Sequence, residues 1–167
     1  MNDPLSTQHS ALRTSSFVIK RPITWLLLII ATIAIVALTT VVPGKSYSKI
    51  DPIPFEDLRH LAHAASVRPV PTQIVSVIIL PLLGNIALFV PWGFLAFISL
   101  YTIDRPTVQT YVLTILLGLT FSLSIEAYQY FLPTRVADIN DIIWNTSGTI
   151  LGAILGHARL RVRFEFE

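Results

Sequence analysis

Residues 122–148 read "SLSIEAYQYFLPTRVADINDIIWNTSG". The run before them, "VQTYVLTILLGLTF" (residues 108–121), carries no charge. The quoted stretch then gathers Glu126, Gln129, Arg135, Asp138, Asp141 and Asn145, in a chain of which only 13% is charged. A soluble domain usually carries about a quarter charged residues. With 53% hydrophobic residues and a mean hydropathy of +0.65, the composition is that of an integral membrane protein. Carboxylates concentrated where such a chain leaves an apolar run need a physical reason.

The rest of the composition excludes several chemistries. The 167 residues include no cysteine, which removes disulfides, thiol nucleophiles and Cys-based metal sites. No P-loop, GxGxxG or nucleic-acid-binding motif is present. The net charge is +2, with basic residues clustered towards both ends, a pattern that suits an anionic membrane face better than nucleic acid. No cofactor is indicated.

Working outward, the apolar runs predict an all-α membrane protein with four transmembrane helices. Residues 1–22 form a basic cytoplasmic tail. The first span, residues 23–42, holds no ionisable side chain. Twenty residues at about 1.5 Å each cover the hydrocarbon thickness. It lacks a short apolar core with an A-x-A-like cleavage site, so it is expected to be an uncleaved anchor. The second, residues 74–101, is interrupted by Pro81 and Pro91. Each proline removes a backbone donor, and the freed groups need protein or water nearby. The third covers residues 108–132 and the fourth residues 141–158, leaving 159–167 as a second cytoplasmic tail. Four spans put Arg13, Lys20, Arg21, Arg105, Arg159, Arg161 and Arg163 on one side, against Lys45, Lys49, Arg59, Arg68 and Arg135 on the other. The bias places both termini in the cytoplasm.

The outer loop, residues 43–73, contains "PFEDLRHLAHAAS". Phe55, Leu58, Leu61, Ala62 and Ala65 recur at helical spacing, which predicts a short amphipathic helix over 55–66 lying on the membrane surface. Glu56, His60 and His63 share a face at i, i+4, i+7 and could ligate a metal, or simply form a solvated face with no fourth ligand. The solvated face is the expectation, and no metal site is assigned.

Depth along each span brings the polar residues together. Glu126 lies roughly 9 Å inside the outer end of the third span, Asn145 roughly 6 Å inside the fourth, and Asn85 roughly 10–15 Å inside the second. Ser122, Glu126 and Gln129 fall at i, i+4, i+7, one stripe of a helix. Asp138, Asp141 and Asn145 fall at i, i+3, i+7, and that stripe continues through Gly148, Gly152 and Gly156, where small residues let helices approach closely. Asp138 and Asp141 also suit a helix N-terminus. A carboxylate at the depth of Glu126 must be paired, hydrogen-bonded, hydrated or protonated. Arg135 on the following loop is the candidate partner. Asn85 could equally serve as helix–helix glue, and Pro91 and Gly93 as packing devices.

Two motifs carry a resemblance. "GNIALFVPWGFL" (84–95) contains N-x-x-L-F-x-P-x-G-F at Asn85, Leu88, Phe89, Pro91, Gly93 and Phe94. The later segment contains S-x-x-I-E-x-x-Q at Ser122, Ile125, Glu126 and Gln129, then D-x-x-D-x-x-x-N-x-x-G at Asp138, Asp141, Asn145 and Gly148. Together they resemble the VanZ-like family over residues 84–156. The N-terminal third matches only loosely, with "FEDLRHLAHAAS" standing where relatives have an aspartate-lysine-histidine stretch. The resemblance implies a small multi-spanning protein of the bacterial cell membrane and envelope. The founding member is associated with resistance to the glycopeptide antibiotic teicoplanin. It implies no settled catalytic mechanism.

Three functions fit this reading. The first is an outward-facing pocket of Asn85, Ser122, Glu126, Gln129, Arg135, Asp138, Asp141 and Asn145 that binds a membrane lipid or cell-wall precursor headgroup. The second is a membrane-embedded enzyme on lipid-linked substrates, with Glu126 as general base and the aspartates holding water or a divalent cation. It lacks an identifiable nucleophile. The third is a proton-coupled flippase, which with four spans and no inverted repeat would require a homo-oligomer. The first is the expected function.

Overall fold

A computed structural model describes residues 21–41, 50–67 and 72–164. The chain is mostly helical. Helix α1 runs over Arg21–Val41, α2 over Glu56–Val67, α3 over Thr72–Leu100, α4 over Thr107–Tyr130 and α5 over Ile139–Phe164. Two two-residue strands, β1 (Ile50–Asp51) and β2 (Ala137–Asp138), pair in parallel with Ile50 opposite Ala137 and Asp51 opposite Asp138. This bridge departs from the all-helical expectation. Arg13, Lys20, Lys45, Lys49 and Arg68 lie outside the described residues, as does the side chain of His60.

Among the described residues, three helices are long and apolar enough to cross a membrane: Arg21–Thr40, Ile78–Leu100 and Thr107–Tyr130. Helix α5 is not among them. Length is not the obstacle, since its 26 residues at about 1.5 Å each exceed a bilayer core. Its first half carries Asn140, Asp141, Asn145, Thr146, Ser147 and Thr149, and these lower its apolar character. Helix α2 packs against the start of α3.

Four long helices make a bundle whose tightest seam joins α3 and α5. Glycines on α5 allow it. A Cβ at Gly148 would stand 2.6 Å from the Ile86 carbonyl oxygen, and one at Gly152 would collide with the Val90 carbonyl and the Phe94 amide. Opposite them, a Cβ at Gly93 would strike the backbone of Thr149. Backbone therefore meets backbone along nearly the whole seam, the close approach that small residues permit. Helix α3 continues through both Pro81 and Pro91, with each proline on its exposed side and Gly93 buried on the seam.

The remaining core is aromatic and aliphatic. Phe89, Trp92 and Phe121 stack where α3 meets α4, with Trp92 and Phe121 centroids 5.4 Å apart. Leu28 and Ile35 of α1 close the cluster, and Trp92 Nε1 donates to Thr32 Oγ1 at 2.9 Å. The exposed sides of α1 and α4 are apolar: Leu26, Ile29, Ile30 and Ile33 on one, Val112, Leu116, Leu117 and Leu123 on the other. Such a surface suits hydrocarbon rather than water.

The two ends of the bundle differ in chemistry. At the C-terminus of α3, Arg21 donates to the Tyr101 carbonyl at 2.8 Å and Arg105 to the Leu100 carbonyl at 2.7 Å. Cations there satisfy carbonyls left over by the helix and meet the negative end of its dipole. Phe97, Tyr111 and His157 cluster at the same end, with the Tyr111 hydroxyl 2.9 Å from His157 Nδ1. The carboxylates gather at the other end.

Candidate functional site

The site is built where α4 ends and α5 begins. After Tyr130 the chain turns through Pro133 and returns as β2, which carries Asp138 back over the last turns of α4. Glu126 Oε2 accepts the Asp138 backbone N–H at 2.8 Å. Glu126 is only 5% exposed, so this bond meets part of the requirement that a buried carboxylate be hydrogen-bonded. The sequence pointed to Arg135 as its partner. The structure gives that place to a backbone amide, because the turn delivers β2 directly onto the carboxylate.

Asp138 starts α5. Its Oδ1 accepts the Asn140 backbone N–H at 2.7 Å and the Asn140 side-chain N–H at 2.9 Å. Asp138 precedes the first helical residue, so this is an N-cap bond to the second residue of the helix, with the carboxylate at the positive end of the dipole. Asp138→Ala is expected to destabilise the folded chain by about 1 kcal/mol, whereas Asp138→Asn retains most of the stability. Thermal unfolding in detergent reads the difference. Equal unfolding of the two variants would show that the cap contributes nothing.

The other polar residues tie helices together at the same end. Asn85 Nδ2 of α3 donates to Asp141 Oδ1 of α5 at 2.5 Å. Asn145 Nδ2 of α5 donates to Ser122 Oγ of α4 at 2.9 Å. Gln129 Nε2 of α4 donates to the Thr39 carbonyl of α1 at 2.9 Å. Every polar residue picked from sequence on the spans thus bonds to another helix or to β2. Gly148, Gly152 and Gly156 lie on the seam below them.

Not everything is satisfied. Asn145 is 2% exposed and its Oδ1 has no partner. Exchanging the two amide atoms would only move the shortfall to nitrogen. Arg135 Nε is likewise buried without a partner. Burial lowers the Arg135 pKa, while Asp141 and Glu126 nearby act in the opposite direction. Glu126 in turn lies within the fields of Asp141, Asp138 and Arg135. One guanidinium and three carboxylates therefore share a neighbourhood. Among the described residues, no group of three or more His, Cys, Asp or Glu is arranged to hold a metal ion.

Three features at the rim were not legible beforehand. Phe55 N donates to Asn140 Oδ1 at 2.7 Å, which fastens the start of α2 to the start of α5. Phe55 adopts a φ of 61°, unusual for a bulky residue. Its ring meets Trp144 edge-on with centroids 5.8 Å apart. The only sequence signal was "IPFED" itself, a proline-flanked turn before a helix, and nothing in it names Asn140.

With this geometry in view, comparison with known families is decisive. The VanZ/LLP1 family model matches residues 23–160. The chain belongs to the VanZ/LLP1 family. The match takes in α1, α2 and the whole polar end, well beyond the 84–156 segment that carries the motifs. Searches of curated proteins and of solved structures return no significant match. The VanZ/LLP1 match thus covers both the apolar helices and the hydrogen-bonded constellation, and it names no ligand.

Proposed function

We propose that this VanZ/LLP1 protein crosses the plasma membrane four times, with α5 as the fourth span and both termini in the cytoplasm. Its outward end, formed by Asn85, Ser122, Glu126, Gln129, Arg135, Asp138, Asp141 and Asn145, binds the headgroup of a membrane lipid or a cell-wall precursor. Occupancy of that site changes the envelope surface and with it glycopeptide susceptibility.

One observation carries the reading. Polar side chains from α3, α4 and α5 bond one another over successive turns at one end of the bundle, and they leave a buried amide atom and a buried guanidinium nitrogen unsatisfied. Unsatisfied buried groups are rare in folded proteins, and polar groups in membrane helices concentrate at functional places. Arg21 and Arg105 at the opposite end support the sidedness, since positive charge tends to stay inside. Helix α5 is protected as a span because its polar first half faces the other helices. Asn145 and Thr149 are buried, while Leu151, Ile154 and Leu155 are exposed and apolar.

Two measurements test this. The chain has no cysteine, so single cysteines report topology without background. A cysteine replacing Thr134 should react with an impermeant maleimide on intact cells, and one replacing Asp104 only after permeabilisation. The reverse pattern would invert the topology. For function, the wild-type chain expressed in a null host should raise the inhibitory concentration of teicoplanin. Asp141→Asn at matched membrane abundance should lose that effect. A variant as active as wild type would move the site of action away from this end.

A further inference from the structure

We infer that the headgroup taken at this site pairs a phosphate with a primary ammonium. Arg135 would hold the phosphate, and Glu126 the ammonium. The inference rests on the headgroup-binding reading above and narrows its chemistry.

The Glu126 carboxyl and the Arg135 guanidinium do not close on each other. Glu126 and Arg135 lie in each other's field. Yet among the described residues they form no ion pair, and Glu126 spends one oxygen on the Asp138 amide. Arg135 Nε is buried and finds no acceptor. A guanidinium is a planar fork of donors matched to two oxygens of a phosphate. Held at the rim with an inner nitrogen unsatisfied, it lacks an anionic acceptor. Glu126, one oxygen of which takes a single backbone N–H, has the complementary need for a donor, best a charged one.

The second, independent observation is Asn145. It sits one turn of α5 inside Asp141, is 2% exposed, and keeps an unsatisfied amide atom. Its other amide atom bonds Ser122, one turn below Glu126 on α4. The polar demand therefore extends inward from the carboxylate side. An anion alone would meet Arg135 but face Glu126, Asp138 and Asp141. A bare cation would meet the carboxylates and leave the guanidinium without an acceptor. A dipolar headgroup answers both. The cationic end must carry N–H, because a quaternary ammonium cannot donate to Glu126 or to an amide oxygen. The amphiphile would enter from the membrane plane, beside the exposed apolar faces of α4 and α5.

The test is equilibrium binding to the purified full-length protein in non-ionic detergent, read by native mass spectrometry. The probes are short-chain phosphatidylethanolamine, phosphatidylcholine and phosphatidylglycerol, together with free phosphoethanolamine and inorganic phosphate. The ethanolamine lipid should bind about ten- to a hundredfold more tightly than the other two, the range of one charge-assisted hydrogen bond. Arg135→Gln should weaken it by a similar factor. That residue makes no hydrogen bond or ion pair among the described residues, and an unchanged thermal midpoint separates lost binding from lost folding. Glu126→Gln should bring the ethanolamine and choline lipids to the same affinity. Free phosphoethanolamine binding as tightly as the lipid would retain the chemistry and assign a soluble ligand. Equal affinity for the ethanolamine and choline lipids in wild type, or no effect of Arg135→Gln, would overturn the inference. If no phospholipid binds while the teicoplanin effect still depends on Asp141, the dipolar ligand is wrong and the site reading stands. If both fail, both are wrong.

Discussion

Gly152→Val is expected to remove the folded protein from the membrane. A Cβ at this position would collide with the Val90 carbonyl oxygen and the Phe94 amide nitrogen of α3. Neither atom can turn aside, because both belong to the backbone of a helix whose Trp92 is already packed against Phe121 of α4 and bonded to Thr32 of α1. Relief requires moving α5 away from α3 along the seam that joins them. Overpacking a core with side chains costs about 1–3 kcal/mol; a collision with backbone should exceed that range. The shift would also separate Asn85 from Asp141, so the site should be lost with the fold. Gly84→Ala is the control. A Cβ there meets nothing within 4 Å, and alanine in a helix interior gains up to about 1 kcal/mol over glycine. Membrane abundance and thermal midpoint should therefore fall sharply for Gly152→Val and hold or rise for Gly84→Ala. A well-folded Gly152→Val protein would contradict the backbone-on-backbone seam.

Glu126→Ala and Glu126→Gln are expected to separate what the carboxylate holds from what it does. Alanine leaves the Asp138 N–H without its acceptor. An unmet buried donor costs about 1–3 kcal/mol, which in a chain of this size lowers the midpoint by roughly 2–12 °C. The loss should loosen β2 and the start of α5 first. Glutamine keeps an amide oxygen for the same N–H, so its midpoint should stay within about 2 °C of wild type, less than 1 kcal/mol. It lacks the charge, however. Both variants should then lose the teicoplanin effect, alanine through structure and glutamine through chemistry. A glutamine variant with full effect would make Glu126 a hydrogen-bonding strut and remove charge from the account.

The site was partly legible because helical spacing is a strong constraint. Ser122, Glu126 and Gln129 had to share one stripe of α4, and Asn145 had to share one with Gly148, Gly152 and Gly156. Depth counting put Asn85 level with Glu126 and Asn145, whereas the structure bonds it to Asp141, one turn of α5 before Asn145. The pairings between elements were less accessible. Arg135 looked like the partner of Glu126 from proximity in sequence, but a loop residue's direction depends on how the turn closes. Gln129 spends its amide on the Thr39 carbonyl, a backbone group that no side-chain pattern announces. Phe55, Asn140 and the β1–β2 bridge depend on segments more than eighty residues apart.

By itself the sequence determined the membrane character, the helical runs and the family motifs. The first two follow from local composition and a period of 3.6 residues, the motifs from a resemblance of residues at fixed spacing, and none needs a tertiary partner to be read. Only the tertiary structure decided which donor meets which acceptor. It gave Glu126 a backbone amide instead of Arg135, and it left Arg135 Nε and Asn145 Oδ1 without partners. The reason is that hydrogen bonding is directional over about 3 Å, while sequence spacing fixes only which face a residue occupies. The chemistry of the site lies in that difference.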